Sequence, residues 1–217
     1  MLRAAWRLRQ GWTHPRTGEK VRVDRFTARL VARFILVGLY TGTRASAICG
    51  AALKPTDGRG WVDLDNGVFY RRPQGKRETK KRQPAIRVPP RLLAHMRRWA
   101  AKKLAIRAVV EWNGEPINKI NKAFRAVRAA AGLGTDVTPH TLRHTCATWL
   151  AQRGVPMWQA AGFLGMTEAM FERTYGHHHP DYQQQAVHAF GRQIGDRYKA
   201  TERERASTNV VKIQGKR

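Results

Sequence analysis

Apolar residues at Phe26, Leu30, Phe34 and Val37 recur at intervals of 4, 4 and 3. That is one face of a helix, which begins near Asp24 as its N-cap. It runs into Thr41-Gly42-Thr43-Arg44, where Gly42 permits a tight bend. A second short helix is predicted over 45–53, stopped by Lys54-Pro55. From 58 to 90 the period changes. Trp61-Val62-Asp63-Leu64 and Val68-Phe69-Tyr70 read as strands around the turn Asp65-Asn66-Gly67, and 85–88 as a third. The segment 71–82 becomes a long basic hairpin between the second and third strands. Pro89-Pro90 opens a helix with Leu92, Leu93, Met96 and Trp99 on one face. Ile117, Ile120, Phe124 and Val127 mark another, ended near Gly132. Thr138-Pro139 starts the next, with Thr as cap and Pro at the first helical position, and it runs through Leu142, Cys146 and Leu150 to Gly154. Helices over 156–164, after Thr167 and over 182–194 complete the reading, and residues 1–23 hold one helical piece before a loop. The pattern is α+β and mainly α-helical, with a small three-stranded antiparallel sheet and no internal repeat.

Composition narrows the partner. Lys and Arg number 41 against 15 Asp and Glu, a formal charge of +26, while a hydrophobic content of 42% suffices for a core. Such a chain binds something anionic, and nucleic acid fits best, because Lys and Arg neutralise phosphates with release of counterions. A membrane surface fits less well, since no long basic amphipathic helix stands out. There is no apolar run of about 18 residues and no secretory signal of the usual 7–15-residue apolar type, so neither a spanning helix nor export is expected. Cys49 and Cys146 cannot form a disulfide framework or a four-cysteine zinc site. The expected compartment is reducing and cytoplasmic, with the protein associated with DNA.

Charge gives a partner without a chemistry. The chemistry comes from Arg44 after an apolar helix, Lys80 and Lys81 in the basic hairpin, His140-Thr-Leu-Arg143 in a helical first turn, and Tyr175 near a helix end. His140 and Arg143 at i and i+3 share a face and sit beside a helix N-terminus, so both can aim at one anion. His144 lies four residues after His140, but the metalloprotease form needs a Glu between the two, and Arg143 would repel a cation. The run His177-His178-His179 cannot face one ion from regular structure. No metal or other cofactor is expected. Arg71, Arg72, Lys76, Arg77 and Arg82 are expected to contact DNA phosphates from the hairpin.

Taken in chain order, Arg44, a hairpin Lys, His140-x-x-Arg143 and Tyr175 resemble the catalytic domain of the tyrosine recombinases, the phage integrase family. Phe163-Leu164-Gly165-Met166 also resembles that family's Leu-Gly-His element, nine residues before the tyrosine. The resemblance covers roughly 24–180. It implies a DNA strand-exchange enzyme with Tyr175 as nucleophile, Arg44 and Arg143 as phosphate donors, and His140 as acid/base or phosphate ligand. Lys81 would protonate the leaving oxygen, with Lys80 as rival. The resemblance also implies a tetramer on DNA. Two positions depart from the family: Ala47 stands where an acidic residue is common, and Met166 where a histidine or tryptophan would donate to the phosphate. His177 resembles the family's Tyr-x-His ending, with no role attached. The resulting division is a basic leader over 1–23, a possible remnant of an N-terminal DNA-binding domain, then a catalytic domain over 24–196 and a basic tail over 197–217. The leader is short for a family that closes a clamp around DNA, so weaker and more salt-sensitive binding is expected. A catalytically impaired DNA-binding remnant on the same fold is the alternative.

Overall fold

The computed structural model describes residues 1–9, 11–13, 15–22, 26–77, 79, 82–184 and 186–188, with backbone alone at 11–13 and 20–22. Helix α1 (Leu2–Arg7) precedes a hairpin of β1 (Gly11–Thr13) and β2 (Lys20–Arg22). Then come α2 (Arg29–Thr41), α3 (Ala45–Cys49), β3 (Trp61–Asp63), β4 (Val68–Tyr70) and β5 (Ile86–Arg87). Helix α4 (Pro90–Ala101) leads to a second small hairpin, β6 (Glu111–Trp112) and β7 (Glu115–Pro116). The chain closes with α5 (Asn121–Ala130), α6 (Pro139–Gln152), α7 (Met157–Leu164), α8 (Glu168–Tyr175) and a short 3-10 turn, Gly176–His178. Among the described residues no helix is long and apolar enough to cross a membrane.

Helix α2 is the axis of the molecule. Leu30, Phe34 and Val37 are buried, as the 4-4-3 spacing predicts, together with Val31 and Ile35, while Phe26 precedes the helix and is half-buried; α2 packs against α1, α3, α4, α5 and α6. Each such side chain contributes about 1.5–3 kcal/mol of transfer free energy. Phe34 meets Phe124 of α5 edge-on, with ring centroids 6.2 Å apart. The helix starts later than expected. Its N-cap is Ala28, without a side-chain cap, and Asp24 lies outside the described residues.

The three-stranded sheet has the predicted antiparallel order β3-β4-β5. Its first turn differs in detail from a tight Asn-Gly hairpin. Asp63 accepts from the N–H groups of Asp65 and Asn66 and from the Asn66 side chain, and only Gly67 takes a positive φ, at 66°. From α4, Arg97 donates to the carbonyls of Leu64 and Asp65 and holds that turn in place. Cross-strand partners Trp61 and Tyr70 stack with centroids 4.8 Å apart.

Two further predicted boundaries move. Helix α3 stops at Cys49 rather than 53, because Ala52 bridges to Trp61 and to Ala108 and so leaves the helix for the sheet edge. Helix α5 begins after Ile120, so Ile117 packs on the core from the preceding loop. Glu111 organises the stretch before β6. Its carboxylate accepts from the N–H groups of Ile106, Arg107 and Ala108, while its carbonyl accepts from buried Arg33. The predicted helix over 182–194 and the tail over 197–217 lie largely or wholly outside the described residues.

Candidate active site

The cleft is assembled from two turns and one helix. The first turn follows α2, where Gly42 has φ 58° and a Cβ would lie 2.2 Å from Leu164 Cδ2 and 3.3 Å from Cys146 Sγ. The second follows α7, where Gly165 has φ 71° and a Cβ would lie 2.7 Å from the Arg82 carbonyl. Glycine is required at both positions, on backbone conformation and on space. Helix α6 runs beside them, its start fixed by Thr138 and Thr141 in a reciprocal capping box and by Pro139 at the first position.

Two buried guanidinium groups tie the turns together. Arg143 of α6 donates from one nitrogen to the carbonyls of Gly42 at 2.8 Å and Leu164 at 2.7 Å. Arg71 donates to the carbonyls of Thr41 at 2.7 Å and Phe163 at 2.8 Å. The rungs are adjacent: 41 with 163, and 42 with 164. Arg71 was expected to reach DNA, and the structure corrects that expectation. It is 3% exposed, and its charge is directed inward because β4 ends with this side chain facing the core. Arg72, Lys76, Arg77 and Arg82 are exposed. Lys80 and Lys81 lie outside the described residues.

Arg44 leads α3 as its N-cap residue and donates to the Arg82 carbonyl at 2.7 Å. The basic segment is therefore held at both ends, by Arg71 at its start and by the Arg82 carbonyl at its finish. Among the described residues neither Arg44, Arg71 nor Arg143 is paired with a carboxylate, and Ala47 supplies none. The crowding is legible in the electrostatics. Burial, and then Arg143 and Arg44, push Arg71 down to about 9. Burial and then Arg44 push Arg143 down to about 10. Burial also lowers Arg44. Guanidinium groups keep their protons in proteins, so such a site is relieved by an anion rather than by deprotonation.

Tyr175, the last residue of α8, is 6% exposed. Its ring packs on Phe171 with centroids 5.3 Å apart. Burial raises its phenol above the ordinary tyrosine value, and the nearby Arg143 pulls it partly back. The phenol oxygen lies 2.7 Å from His144 Nδ1. His140 stands one turn earlier on α6, edge-on to His144 with centroids 4.6 Å apart. Burial, followed by His144, Arg143 and Arg44, holds His140 below the usual histidine range. Thus Arg44, Arg143, His140 and Tyr175 share one neighbourhood, although 131 positions separate the first from the last. Met166 is half-buried against the cluster that holds Tyr175, and a thioether there has no proton to give. His177 is exposed, and its ring lies tilted against that of His178 with centroids 4.0 Å apart. Sequence reasoning considered His144 only as half of a metal pair and missed its contact with Tyr175. Its place one residue after Arg143, on the helix bearing the other site residues, was the available signal. Among the described residues no group of three or more His, Cys, Asp or Glu could hold a metal ion.

Comparison with known proteins bears on the fold and the family. The tyrosine recombinase XerD of Lacticaseibacillus casei is 32% identical over 90 residues, which is 41% of this chain and 28% of that protein. The Tn1549 transposon integrase in complex with transposon right end DNA superposes with a TM-score of 0.58 at 19% identity, covering 76% of this chain and 60% of that one. The XerA recombinase gives a TM-score of 0.53 at 18% identity over 74% of this chain and 57% of that one. The chain therefore spans less than two thirds of each of these relatives, and the two structures show likeness of fold. The sequence family reaches further, since its match runs over residues 23–181 and takes in both cleft arginines, His140 and Tyr175 together. On that match the chain belongs to the phage integrase family.

Proposed function

We propose that the chain is the catalytic part of a site-specific DNA recombinase of a mobile element, which cuts and rejoins strands through a 3′-phosphotyrosine at Tyr175. The observation that carries this reading is the convergence of a protonated phenol with two guanidinium groups that, among the described residues, no carboxylate neutralises. In the reaction the Tyr175 oxygen bonds to phosphorus as the bond to the 5′-oxygen breaks. The leaving oxygen takes a proton from Lys81 or, failing that, Lys80. Arg44 and Arg143 donate to the non-bridging oxygens as charge builds on them. His140 lies on the same helix face as Arg143 and holds the phosphate. Arg72, Lys76, Arg77 and Arg82 track the flanking backbone, and full strand exchange takes four copies on two duplexes. Neither metal nor nucleotide is needed, because the phosphotyrosine conserves the energy of the broken bond. Met166 removes one donor, and losing a single transition-state donor lowers rates by about 10²–10³ in other enzymes. A slow enzyme is therefore expected.

The test is a pool of nicked duplexes of randomised sequence, in which cleavage releases a short fragment and traps the protein on DNA. An adduct that survives boiling in detergent and vanishes in Tyr175→Phe supports the reading. Adduct formation by Tyr175→Phe at the wild-type rate overturns it.

A further inference from the structure

The nucleophile must lose a proton when it attacks, and among the described residues His144 is in hydrogen-bond contact with its phenol. Tyr175 is buried among Phe171 and the small residues of α6 and α7, yet its oxygen emerges against the flank of α6. There it meets His144 Nδ1 at 2.7 Å, a normal length for a hydrogen bond from a hydroxyl. Either atom can be the donor in this contact; with the phenol donating, Nδ1 is the unprotonated nitrogen and the ring proton sits on Nε2. His144 itself is exposed. A proton taken at Nδ1 can leave to water from the other side of the ring. The neighbouring ring is His140, which burial and then the charges around it hold toward its neutral form, so it adds little charge opposing an imidazolium at His144. The two histidines thus divide the labour by position, with His140 on the side of Arg143 and His144 on the phenol.

We propose that His144 is the proton acceptor for the nucleophile, a catalytic residue in addition to those the sequence singled out. This rests on the reading of Tyr175 as nucleophile. As Oη bonds to phosphorus, the phenol proton passes to Nδ1 and the ring becomes an imidazolium; on religation the same proton returns to the departing phenolate. The acceptor serves the nucleophile and leaves protonation of the 5′-oxygen to the hairpin lysine.

Three variants and one modified substrate separate this from a merely supporting role. His144→Ala should slow adduct formation about 10²-fold or more, within the range for a lost acid–base group, with duplex affinity by fluorescence anisotropy unchanged. His144→Asn keeps an oxygen acceptor near Nδ1 but cannot take a proton. It should be as slow as His144→Ala, and a rate within threefold of wild type overturns the proposal. Replacing the bridging 5′-oxygen by sulfur removes the need for an acid. It should rescue Lys81→Ala and leave His144→Ala slow; rescue of His144→Ala as well would place the histidine on the leaving group and overturn the assignment. A DNA-free arm reads the hydrogen bond itself. Nitrogen NMR should find His144 in the Nε2–H form in wild type and shifted toward the other tautomer in Tyr175→Phe. A His144 spectrum indifferent to that substitution overturns the proposal whatever the DNA assays give. Loss of adduct in Tyr175→Phe alone, with His144→Ala fully active, would sink the acceptor and leave the recombinase reading standing.

Discussion

The described residues form two apolar clusters, built from different side chains. The larger, centred on α2, buries Phe34, Phe69, Phe124, Ile35, Ile48 and Leu92 completely or nearly so. The smaller consists of Cys146, Ala147, Ala151, Ala160, Ala161, Leu164, Phe171 and Tyr175, half of it alanine. Large side chains supply transfer free energy, at about 0.8 kcal/mol per buried CH₂, and alanines supply little. What alanines supply is proximity. Helix separation is set by the side chains at the contact, so small residues on α6 and α7 let Arg143 reach across to two turns at once. The large cluster holds the fold, and the small one sets the distances in the cleft.

The contrast can be broken most sharply by truncation. Phe34→Ala should lower stability by about 3–5 kcal/mol, in the range for a fully buried phenylalanine. Ala161→Gly should lower it by only about 1 kcal/mol, the usual difference in helix propensity. Denaturant midpoints measure both, and equal losses would erase the distinction. Next comes Arg71→Met, which strands the carbonyls of Thr41 and Phe163. Each carbonyl left buried without a partner costs about 1–3 kcal/mol. Adduct formation at saturating DNA should fall at least tenfold while the half-saturating DNA concentration holds within twofold. Lys76→Ala should do the reverse, weakening binding and its salt dependence while leaving the saturated rate intact. Single-turnover rates against DNA concentration separate the two.

The smallest expected effect is on pH. His140 is held below its ordinary value of 6.5, first by burial and then by the charges around it. As pH falls past that ordinary value, the unfolded chain takes up the proton before the folded one does. Stability is therefore full above it and declines on acidification. His140→Gln should flatten that decline in thermal melts run between neutral and mildly acidic buffers.

Much of this was readable in advance, for identifiable reasons. The α2 face, the Thr138-Pro139 start and the Pro90 start depend on local spacing and capping, which a single sequence displays. The order of Arg44, His140, Arg143 and Tyr175 survives in the chain even though their meeting is tertiary. Arg71 was misread because, within Arg71-Arg72, nothing local distinguishes a cation that donates inward to carbonyls from one that meets solvent. Helix α3 ended early because Ala52 found sheet partners far along the chain, at Trp61 and Ala108. The hairpins β1–β2 and β6–β7 are two or three residues per strand, too short for alternation to register.

The basic segment has both feet in the cleft, and that bounds its footprint. Between Arg71 and Arg82 lie ten residues, 72–81. A chain tied at both ends travels outward by at most about half its contour, roughly 17 Å at 3.3–3.6 Å per residue. Measured along a duplex at 3.4 Å per step, that is about five base pairs. On the proposed function, whatever sequence preference this loop carries is read next to the phosphate that Tyr175 attacks, and recognition of more distant bases falls to other surfaces.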